Sequence, residues 1–300
     1  MPATGRADMK LQELIEKGVE TISVLYPFTE AREMVLRYLE DCQGIGRMTR
    51  LMEPDLVISS GSVSESLAAF QRMASGEPLQ YVAGRADFYG RGFNVTPDVL
   101  IPRGETELLC RMVIERSSGV EDHLSILDLC TGSGCIAWTL ALEVPMAKVT
   151  AMDISETALE VAASQDFSDE MSRTGAVSPV FVRGDVLSPG TLQLSSCGKF
   201  DVIVSNPPYV TESEKALMRR NVLDHEPHLA LFVPDDDPLL FYRAVAAVAS
   251  EHLRPGGLCI VEINESFGEA TAAVFRSRGF SEVKVVRDLN MRDRFVYSIR

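Results

Sequence analysis

Four consecutive residues, directly after the apolar run 200–205, have the chemistry needed to hold a planar NH2 group: Asn206, Pro207, Pro208 and Tyr209. The Asn206 side-chain oxygen can accept one N–H, and the prolines leave carbonyl oxygens to line the turn because they carry no N–H. We expect the Pro207 carbonyl to accept the second N–H and the Tyr209 ring to offer a flat apolar face. This Asn-Pro-Pro-Tyr turn would aim a weak nitrogen nucleophile at an electrophile. The alternative is an ordinary proline-rich turn after a buried strand.

A turn upstream has the composition of a ligand cradle. The apolar run 124–129 predicts a buried strand, and the apolar run 136–142 predicts a helix. Between them lies the glycine turn, which consists of Cys130, Thr131, Gly132, Ser133 and Gly134. A strand, a Gly-x-Gly sequence and a helix N-terminus bring a ligand close to bare backbone. Since this stretch also fits the looser dinucleotide fingerprint, the glycine turn alone leaves both a nicotinamide cofactor and S-adenosylmethionine open.

Two acidic residues are expected beside the glycine turn. The strand predicted at 148–152 ends in Asp153, about 20 residues beyond the glycines, which is the spacing of a carboxylate that binds ribose hydroxyls. The strand predicted at 179–184 is followed by Asp185. Because the carboxyl ends of parallel strands meet at one sheet edge, both carboxylates, the glycine turn and Asn206 are predicted to surround one ligand.

The two turns together decide between the cofactors. An oxidoreductase has no clear use for the Asn-Pro-Pro-Tyr turn, whereas an amino-group methyltransferase requires such a pocket. S-adenosylmethionine has a single nucleoside and no pyrophosphate, so acidic residues around its cradle are tolerated. The sequence therefore favours methyl transfer from S-adenosylmethionine to a nitrogen.

With both turns in place, the chain resembles the HemK/PrmC family, the protein-glutamine methyltransferases that modify peptide chain release factors. The Asn-Pro-Pro-Tyr turn alone is shared with adenine-N6 and guanine-N2 methyltransferases, so an ordered set of motifs over most of the chain carries the resemblance. That set comprises Gln80–Gly84, Phe88–Gly90, Val99–Glu107, Asp128–Ala137, Glu226–Phe232 and Asp293–Val296.

The resemblance implies a class I S-adenosylmethionine-dependent methyltransferase, a Rossmann-like α/β fold with a mostly parallel sheet and a terminal antiparallel strand. It implies a small helical domain at residues 1–83 that helps to recognise the substrate, a short β-hairpin connector at 84–104, and the methyltransferase domain at 105–300. The implied reaction methylates the side-chain amide nitrogen of the glutamine in the Gly-Gly-Gln motif of release factors, which modulates translation termination.

The resemblance also implies roles for the cofactor-binding residues. Asp153 would hold the ribose, Asp185 the adenine amino group, and the glycine turn the methionine end of S-adenosylmethionine. The Asp128 carboxylate would lie near the methionine amino group or would only shape the turn, and both interpretations stay open. Arg103 and Glu105 would border the cofactor or cap the next helix.

Several positions depart from the family pattern, among them Cys130, Val186 and Gly104. Cys130 replaces a usual glycine, so its side chain must fit a turn that glycine would enter freely. Val186 stands where some members carry an aromatic residue beside the adenine, although it is still expected in the cofactor site. Gly104 replaces a usual proline and loosens the first turn of the following helix.

Composition bears on the substrate and the compartment. The net charge is −14, and both residues 1–84 and the remainder are acidic, which favours a protein substrate over nucleic acid. Six cysteines lie scattered without a Cys-x-x-Cys pair, and neither a signal sequence nor a run of about 18 apolar residues is found, so a cytoplasmic protein without a membrane span is expected. His225 and His228 are interpreted as surface-loop residues, and no metal is expected.

Other functions remain open at this point. A ribosomal-protein glutamine methyltransferase would share the pocket and differ in its N-terminal domain. A DNA or RNA amino-methyltransferase would show salt-sensitive nucleic-acid binding. A scaffold that binds the cofactor without turnover is disfavoured by the intact Asn206 and glycines.

Periodicity predicts the elements outside these motifs. Runs 9–15 and 31–39 show the spacing of amphipathic helices, the second starting at Thr29 or Glu30. Ser62 and Glu65 predict a capping box for a further helix. Runs 283–287 and 294–299 lie too close together for an intervening helix and predict an antiparallel pair. The apolar face of the further helix is predicted to comprise Val63, Leu67, Phe70 and Met73.

Overall fold

The computed structural model describes residues 7–117, 123–188 and 198–300 and divides into two compact units. The helical unit runs to Arg85 and includes Arg219–His225. The α/β unit contains Ala86–Met218 and Glu226–Arg300. A short segment that follows the Asn-Pro-Pro-Tyr turn thus belongs with the N-terminal helices. The domain boundaries predicted at residues 83 and 104 did not assign that segment to the helical domain, and they stay a prediction.

The helical unit buries the apolar faces of short helices. Leu14, Ile22, Val35 and Phe70 are fully buried, and a Cβ added at Gly18 would lie 2.6 Å from Phe70 Cε2, which shows how closely the helices approach. Its elements are β1 (Met9–Lys10), α1 (Leu11–Ile22), α2 (Phe28–Gln43), α3 (Arg47–Met52), β2 (Val57–Ile58), α4 (Ser60–Ala74) and α5 (Leu79–Ala83).

Three predicted helix starts were wrong in this unit. Met9 and Lys10 pair with Ile58 and Val57 in a short antiparallel ladder, so α1 begins only at Leu11. The predicted capping box does not form, because Ser59 precedes α4 and its Oγ accepts the Ser62 N–H at 3.4 Å.

The second helix also begins earlier than expected, at Phe28 with Pro27 as N-cap, because proline supplies the required φ and its missing N–H costs nothing there. The predicted apolar face of α4 is confirmed: Val63, Phe70 and Met73 are fully buried, and Leu67 packs against the same core.

The α/β unit opens with the predicted hairpin and continues as alternating strands and helices. Tyr89 and Gly90, both with positive φ, form the two-residue hairpin turn that matches strand twist. The first elements are β3 (Arg85–Phe88), β4 (Arg91–Asn94), α6 (Glu107–Ser117), β5 (Ser125–Leu129), α7 (Cys135–Glu143), β6 (Lys148–Asp153), α8 (Glu156–Ala163), α9 (Ser168–Thr174), β7 (Val180–Arg183) and β8 (Phe200–Ser205). The remainder are β9 (Val210–Thr211), β10 (Phe232–Val233), α11 (Leu240–His252), β11 (Leu253–Glu262), α12 (Gly268–Ser277), β12 (Ser281–Arg287) and β13 (Asp293–Ile299). Helix α10 (Arg220–His225) lies between β9 and β10 in the chain but belongs to the helical unit.

Within the described residues, seven strands form the main sheet in the order β12-β13-β11-β8-β5-β6-β7. Strands β11, β8, β5, β6 and β7 are parallel, whereas β13 runs antiparallel to both β11 and β12. This confirms the predicted mostly parallel sheet with a terminal antiparallel strand. The chain crosses from β5 to β6 on one side and returns to β8 on the other, so the strand order reverses between β5 and β8. Ligands bind at such a switch point in open α/β sheets.

Alternate residues of the central strands pack into a hydrophobic core on each face of the sheet. Val202 and Val204 pack with Trp138 of α7 on one face, and Ile203 packs with Tyr242 of α11 on the other. Both faces being covered explains why β5 and β8 appear in the sequence as continuous apolar runs. No helix within residues 7–117, 123–188 and 198–300 combines the length and apolar character needed to cross a membrane.

Candidate functional site

The ends of β5 and β8 bring the two predicted turns side by side. Leu129 pairs with Ser205 in the parallel ladder, and the Ser205 hydroxyl donates to the Leu129 carbonyl at 2.8 Å. Cys130 and Asn206 are the next residues of the two strands, so strand register alone makes the turns neighbours. Between them lies a cavity of about 320 Å³ within the α/β unit.

Most of the predicted site residues line this cavity. Pro207, Tyr209, Asp128 and Gly134 lie outside its described wall. The predicted residues in the wall are Cys130, Thr131, Gly132, Ser133, Asp153, Asp185, Val186, Asn206 and Pro208.

The glycine turn depends on left-handed backbone at three positions. The φ angles are +62° at Cys130, +53° at Gly132 and +78° at Gly134. A Cβ at Gly132 would meet nothing within 4 Å, whereas one at Gly134 would lie 3.0 Å from Ala162 Cβ and 3.2 Å from Trp138 Cδ1. Gly132 therefore keeps the cavity side open, and Gly134 lets α7 pack closely. Cys130 holds the same backbone conformation with a side chain, which costs about 1–2 kcal/mol.

Asp153 is tied to the glycine turn. Its Oδ2 accepts the Gly132 N–H at 2.9 Å, and its Oδ1 accepts the Ser155 N–H at 3.0 Å. Burial raises the pKa of this carboxyl, and those backbone hydrogen bonds act in the opposite direction. An ionised carboxylate has about four acceptor sites, so about two remain for hydroxyl groups of a ligand.

Asp185 holds a turn of its own at the cavity wall. Its Oδ1 accepts the Leu187 N–H at 2.9 Å, and its Oδ2 accepts the Ser188 hydroxyl at 3.1 Å. The neighbouring Val186 is almost fully buried and lines the cavity. Phe241 of α11 supplies an aromatic side chain to the same wall, which the sequence analysis did not identify.

Asp128 lies beneath the glycine turn rather than in the wall. Its side chain is fully buried, and its Oδ2 accepts the Thr131 hydroxyl at 2.6 Å. Its Oδ1 has no hydrogen-bond partner in the described part of the chain. Burial raises the pKa of Asp128 to about 7. Through its Oδ2, Asp128 is tied to Thr131 of the glycine turn.

The Asn-Pro-Pro-Tyr turn is held by hydrogen bonds on both sides of Tyr209. The Tyr209 N–H donates to the Leu231 carbonyl at 3.2 Å, and its carbonyl accepts the Asn264 Nδ2–H at 3.2 Å. The Tyr209 ring packs against the core around α11, and its hydroxyl donates to Glu262 Oε1 at 3.1 Å. Burial raises the pKa of this phenol well above its usual value. Half-buried Asn206 is left facing the cavity, with Nδ2 donating to Thr106 Oγ1 at 3.4 Å.

Residues in and just after the connector also form part of the cavity wall. The sequence predicted only that Arg103 and Glu105 would border the cofactor or cap the next helix. Arg103 lines the cavity and pairs with buried Glu226, its Nη2 lying 2.7 and 2.8 Å from the two carboxylate oxygens. Thr106 also lines the cavity, whereas Glu105 is exposed. Both Arg103 and Glu226 stand in motifs noted for the resemblance, but no local pattern pairs residues so far apart in sequence.

The described residues contain no group of three or more His, Cys, Asp or Glu side chains arranged to hold a metal ion.

Comparisons with known proteins find methyltransferases similar to this chain. The family described as "Methyltransferase small domain" matches residues 105–229. The chain is 40% identical to a release factor glutamine methyltransferase of Bacteroides thetaiotaomicron, over 94% of this chain and 97% of that protein. It is 34% identical to one of Flavobacterium psychrophilum, over 93% and 95%. A crystal structure of a release factor-specific protein-(glutamine-N5) methyltransferase from Alicyclobacillus acidocaldarius is 28% identical, with a TM-score of 0.42 over 69% of this chain and 99% of that one.

Proposed function

This chain belongs to the family of release factor glutamine methyltransferases, as its resemblance to HemK/PrmC proteins predicted, and we propose that it performs their reaction at the cavity between β5 and β8. The chain transfers a methyl group from S-adenosylmethionine to the side-chain amide nitrogen of the glutamine in the Gly-Gly-Gln motif of a release factor. The observation that carries the proposal is that the glycine turn and Asn206 open into one cavity. A cofactor cradle and an amide pocket in one cavity suit group transfer between two ligands.

The residues present fit S-adenosylmethionine. A cavity of about 320 Å³ lies within the usual range for small-ligand sites, about 300–1,000 Å³. Asp153 has acceptor capacity left for ribose hydroxyls, Gly132 leaves room for the methionine end, and Val186 with Phe241 supplies apolar surface for a base. When bound, S-adenosylmethionine supplies a methyl group on a positively charged sulfur.

Asn206 and Pro207 would prepare the nucleophile. A glutamine amide nitrogen is a poor nucleophile because its lone pair is delocalised into the carbonyl. The Asn206 Oδ1, at the cavity wall, would accept one of its N–H groups. The Pro207 carbonyl, which lies outside the described wall, would accept the other, and the two bonds would enrich the nitrogen and fix its direction. Orientation of this kind can contribute about 7–11 kcal/mol, so no acid–base pair is needed. The surplus proton passes to solvent.

The helical unit would recognise the release factor. It contributes amphipathic helices with exposed apolar side chains at the junction of α1 and α2, where Val24 and Phe28 are 85% and 66% exposed. Exposed apolar patches of this kind mark protein-binding surfaces. A release factor is therefore the proposed partner, and the cytoplasm, where release factors act, the proposed compartment.

Transfer of labelled methyl from S-adenosylmethionine to purified release factor tests the function. Label is expected on wild-type release factor and not on a variant in which the Gly-Gly-Gln glutamine is alanine. Label on a ribosomal protein or on nucleic acid in the same lysate, with none on release factor, would overturn the substrate and keep the methyltransferase.

A further inference from the structure

A line of hydrogen bonds runs from the cavity to a buried carboxylate. Asn206 Nδ2 lies 3.4 Å from Thr106 Oγ1, and the Thr106 hydroxyl donates to Glu262 Oε2 at 2.7 Å. The Tyr209 hydroxyl donates to the other oxygen, Glu262 Oε1, at 3.1 Å. Thr106 is 2% exposed and Glu262 is 1% exposed, so solvent does not compete for these bonds. The sequence separation between Thr106 and Glu262 is 156 residues, which no local pattern reveals.

The number of hydrogen atoms available for donation fixes which group donates and which accepts in these hydrogen bonds. An ionised carboxylate only accepts hydrogen bonds, and a threonine hydroxyl has one hydrogen to donate. Burial raises the pKa of Glu262. Its two oxygens nevertheless each accept one hydroxyl hydrogen, Oε2 from Thr106 and Oε1 from Tyr209, which is the arrangement of an ionised carboxylate. With Glu262 ionised, the Thr106 hydrogen is committed to it, and only an oxygen lone pair of Thr106 faces Asn206.

That lone pair selects one of the two orientations of the Asn206 amide. The NH2 end must face Thr106, since an amide oxygen there would meet another acceptor. The Asn206 oxygen is then left as the free end of the side chain, at the wall of the cavity. In the flipped orientation, the Asn206 NH2 would meet the NH2 group of the substrate glutamine, donor against donor.

We propose that Thr106, held by Glu262, is a positioning residue that fixes the Asn206 side chain with its oxygen toward the substrate amide. This inference rests on the proposed function, in which Asn206 accepts an N–H of the glutamine. Thr106 touches neither the transferred methyl group nor the nucleophile in this scheme. It acts through Asn206, so its loss lowers the fraction of enzyme in which the amide pocket is correctly oriented.

The test compares Thr106→Val with Thr106→Ser. Valine keeps the shape but removes the hydroxyl, and serine keeps the hydroxyl. The control is Thr271→Val in α12, where a fully buried threonine Oγ1 has no hydrogen-bond partner in the described part of the chain. Methyl transfer to release factor is measured at saturating S-adenosylmethionine to separate kcat from KM, cofactor affinity is measured by calorimetry, and folding is followed by thermal unfolding.

Thr106→Val is expected to lower kcat about 10-fold to 100-fold, the range produced by small misplacements of reacting groups. Thr106→Ser is expected to restore most of that loss, and both variants are expected to bind S-adenosylmethionine as wild type does. Thr271→Val is expected to leave kcat unchanged. Rescue by serine with unchanged cofactor affinity separates positioning from a general loss of folding.

A folded Thr106→Val enzyme with wild-type kcat would overturn the inference and leave the proposed function intact. A loss of kcat that serine does not restore would overturn it as well, because the hydroxyl would not be the active feature. Failure of wild-type enzyme to methylate release factor is a separate outcome, which would overturn the proposed function and this inference with it.

Discussion

The glycine turn after β5 and the Asn-Pro-Pro-Tyr turn after β8 are neighbours in the sheet but are constructed in different ways. The glycine turn obtains its shape from left-handed backbone at Cys130, Gly132 and Gly134. The Asn-Pro-Pro-Tyr turn has no positive φ and obtains its shape from two prolines and from anchors on distant elements, such as Glu262 and Asn264. The turn proposed to bind the cofactor thus leaves open space at Gly132, whereas the turn proposed to orient the nucleophile is held by side-chain contacts.

Asn206→Ala is expected to have the largest effect, because it removes the one side-chain acceptor proposed for the substrate amide. We expect kcat to fall at least about 10²–10³-fold, as when a single group that stabilises a transition state is deleted. Cofactor affinity, measured by calorimetry, is expected to change little. An Asn206→Ala enzyme with near-normal turnover would show that Asn206 does not orient the substrate amide, and the contrast in function between the two turns would fail.

Gly134→Ala tests the packing side of the glycine turn. The new Cβ would lie 3.0 Å from Ala162 Cβ in a left-handed conformation, so we expect a loss of unfolding free energy of about 2–4 kcal/mol. The matched control is Gly175→Ala, where φ is +74° but nothing lies within 4 Å of the new Cβ. That control is expected to lose only about 1–2 kcal/mol. Equal losses in urea unfolding would mean that close packing of α7 contributes nothing.

Tyr209→Phe tests the anchor of the Asn-Pro-Pro-Tyr turn. It leaves one oxygen of buried Glu262 with no hydroxyl donor, which is expected to lower the unfolding free energy by about 1–3 kcal/mol. The backbone hydrogen bonds of Tyr209 remain, so kcat is expected to fall less than about tenfold. Tyr297→Phe on β13, whose ring packs beside Lys284, is the control and is expected to change stability by less than about 0.5 kcal/mol. If Tyr209→Phe and Tyr297→Phe had the same unfolding free energy, the hydrogen bond from Tyr209 to Glu262 would not stabilise the turn.

Cys130→Gly is expected to have the smallest effect. Replacing Cys130 with glycine removes about 1–2 kcal/mol of left-handed strain from the folded state. It also makes the unfolded chain more flexible, which costs about 0.5–1 kcal/mol of stability. The unfolding free energy is therefore expected to rise by up to about 1 kcal/mol. Met291→Gly, at an exposed residue with φ +63°, relieves the same strain outside the site and serves as the control. Activity is expected to persist in both. A Cys130→Gly enzyme that unfolds more easily would show that the cysteine packs better than its backbone angle suggests.

The contrast between the turns also explains what the sequence could predict. The strand 200–205 was placed to the residue, because a buried parallel strand appears as a continuous apolar run bounded by turn residues. The glycine turn, Asp153 and Asp185 were placed at one sheet edge by strand order and spacing alone. Backbone requirements of this kind leave local traces in sequence.

The long-range contacts around the cavity left no such trace. Thr106 meets Glu262, and Arg103 meets Glu226, across more than a hundred residues. The wrong start of α1 has the same origin: Met9 and Lys10 pair with β2, and that long-range ladder overrides their helical periodicity. Tertiary partners of this kind are outside what periodicity and capping patterns encode.

The most direct test of the account is to map the product by mass spectrometry. Release factor is incubated with S-adenosylmethionine and either wild-type enzyme or Asn206→Ala, and its peptides are then sequenced. The account predicts one added methyl group on the side chain of the Gly-Gly-Gln glutamine with wild type, and an unmodified peptide with the variant. A methyl group on another residue, or equal modification by both enzymes, would contradict the assignment of Asn206 to the substrate amide.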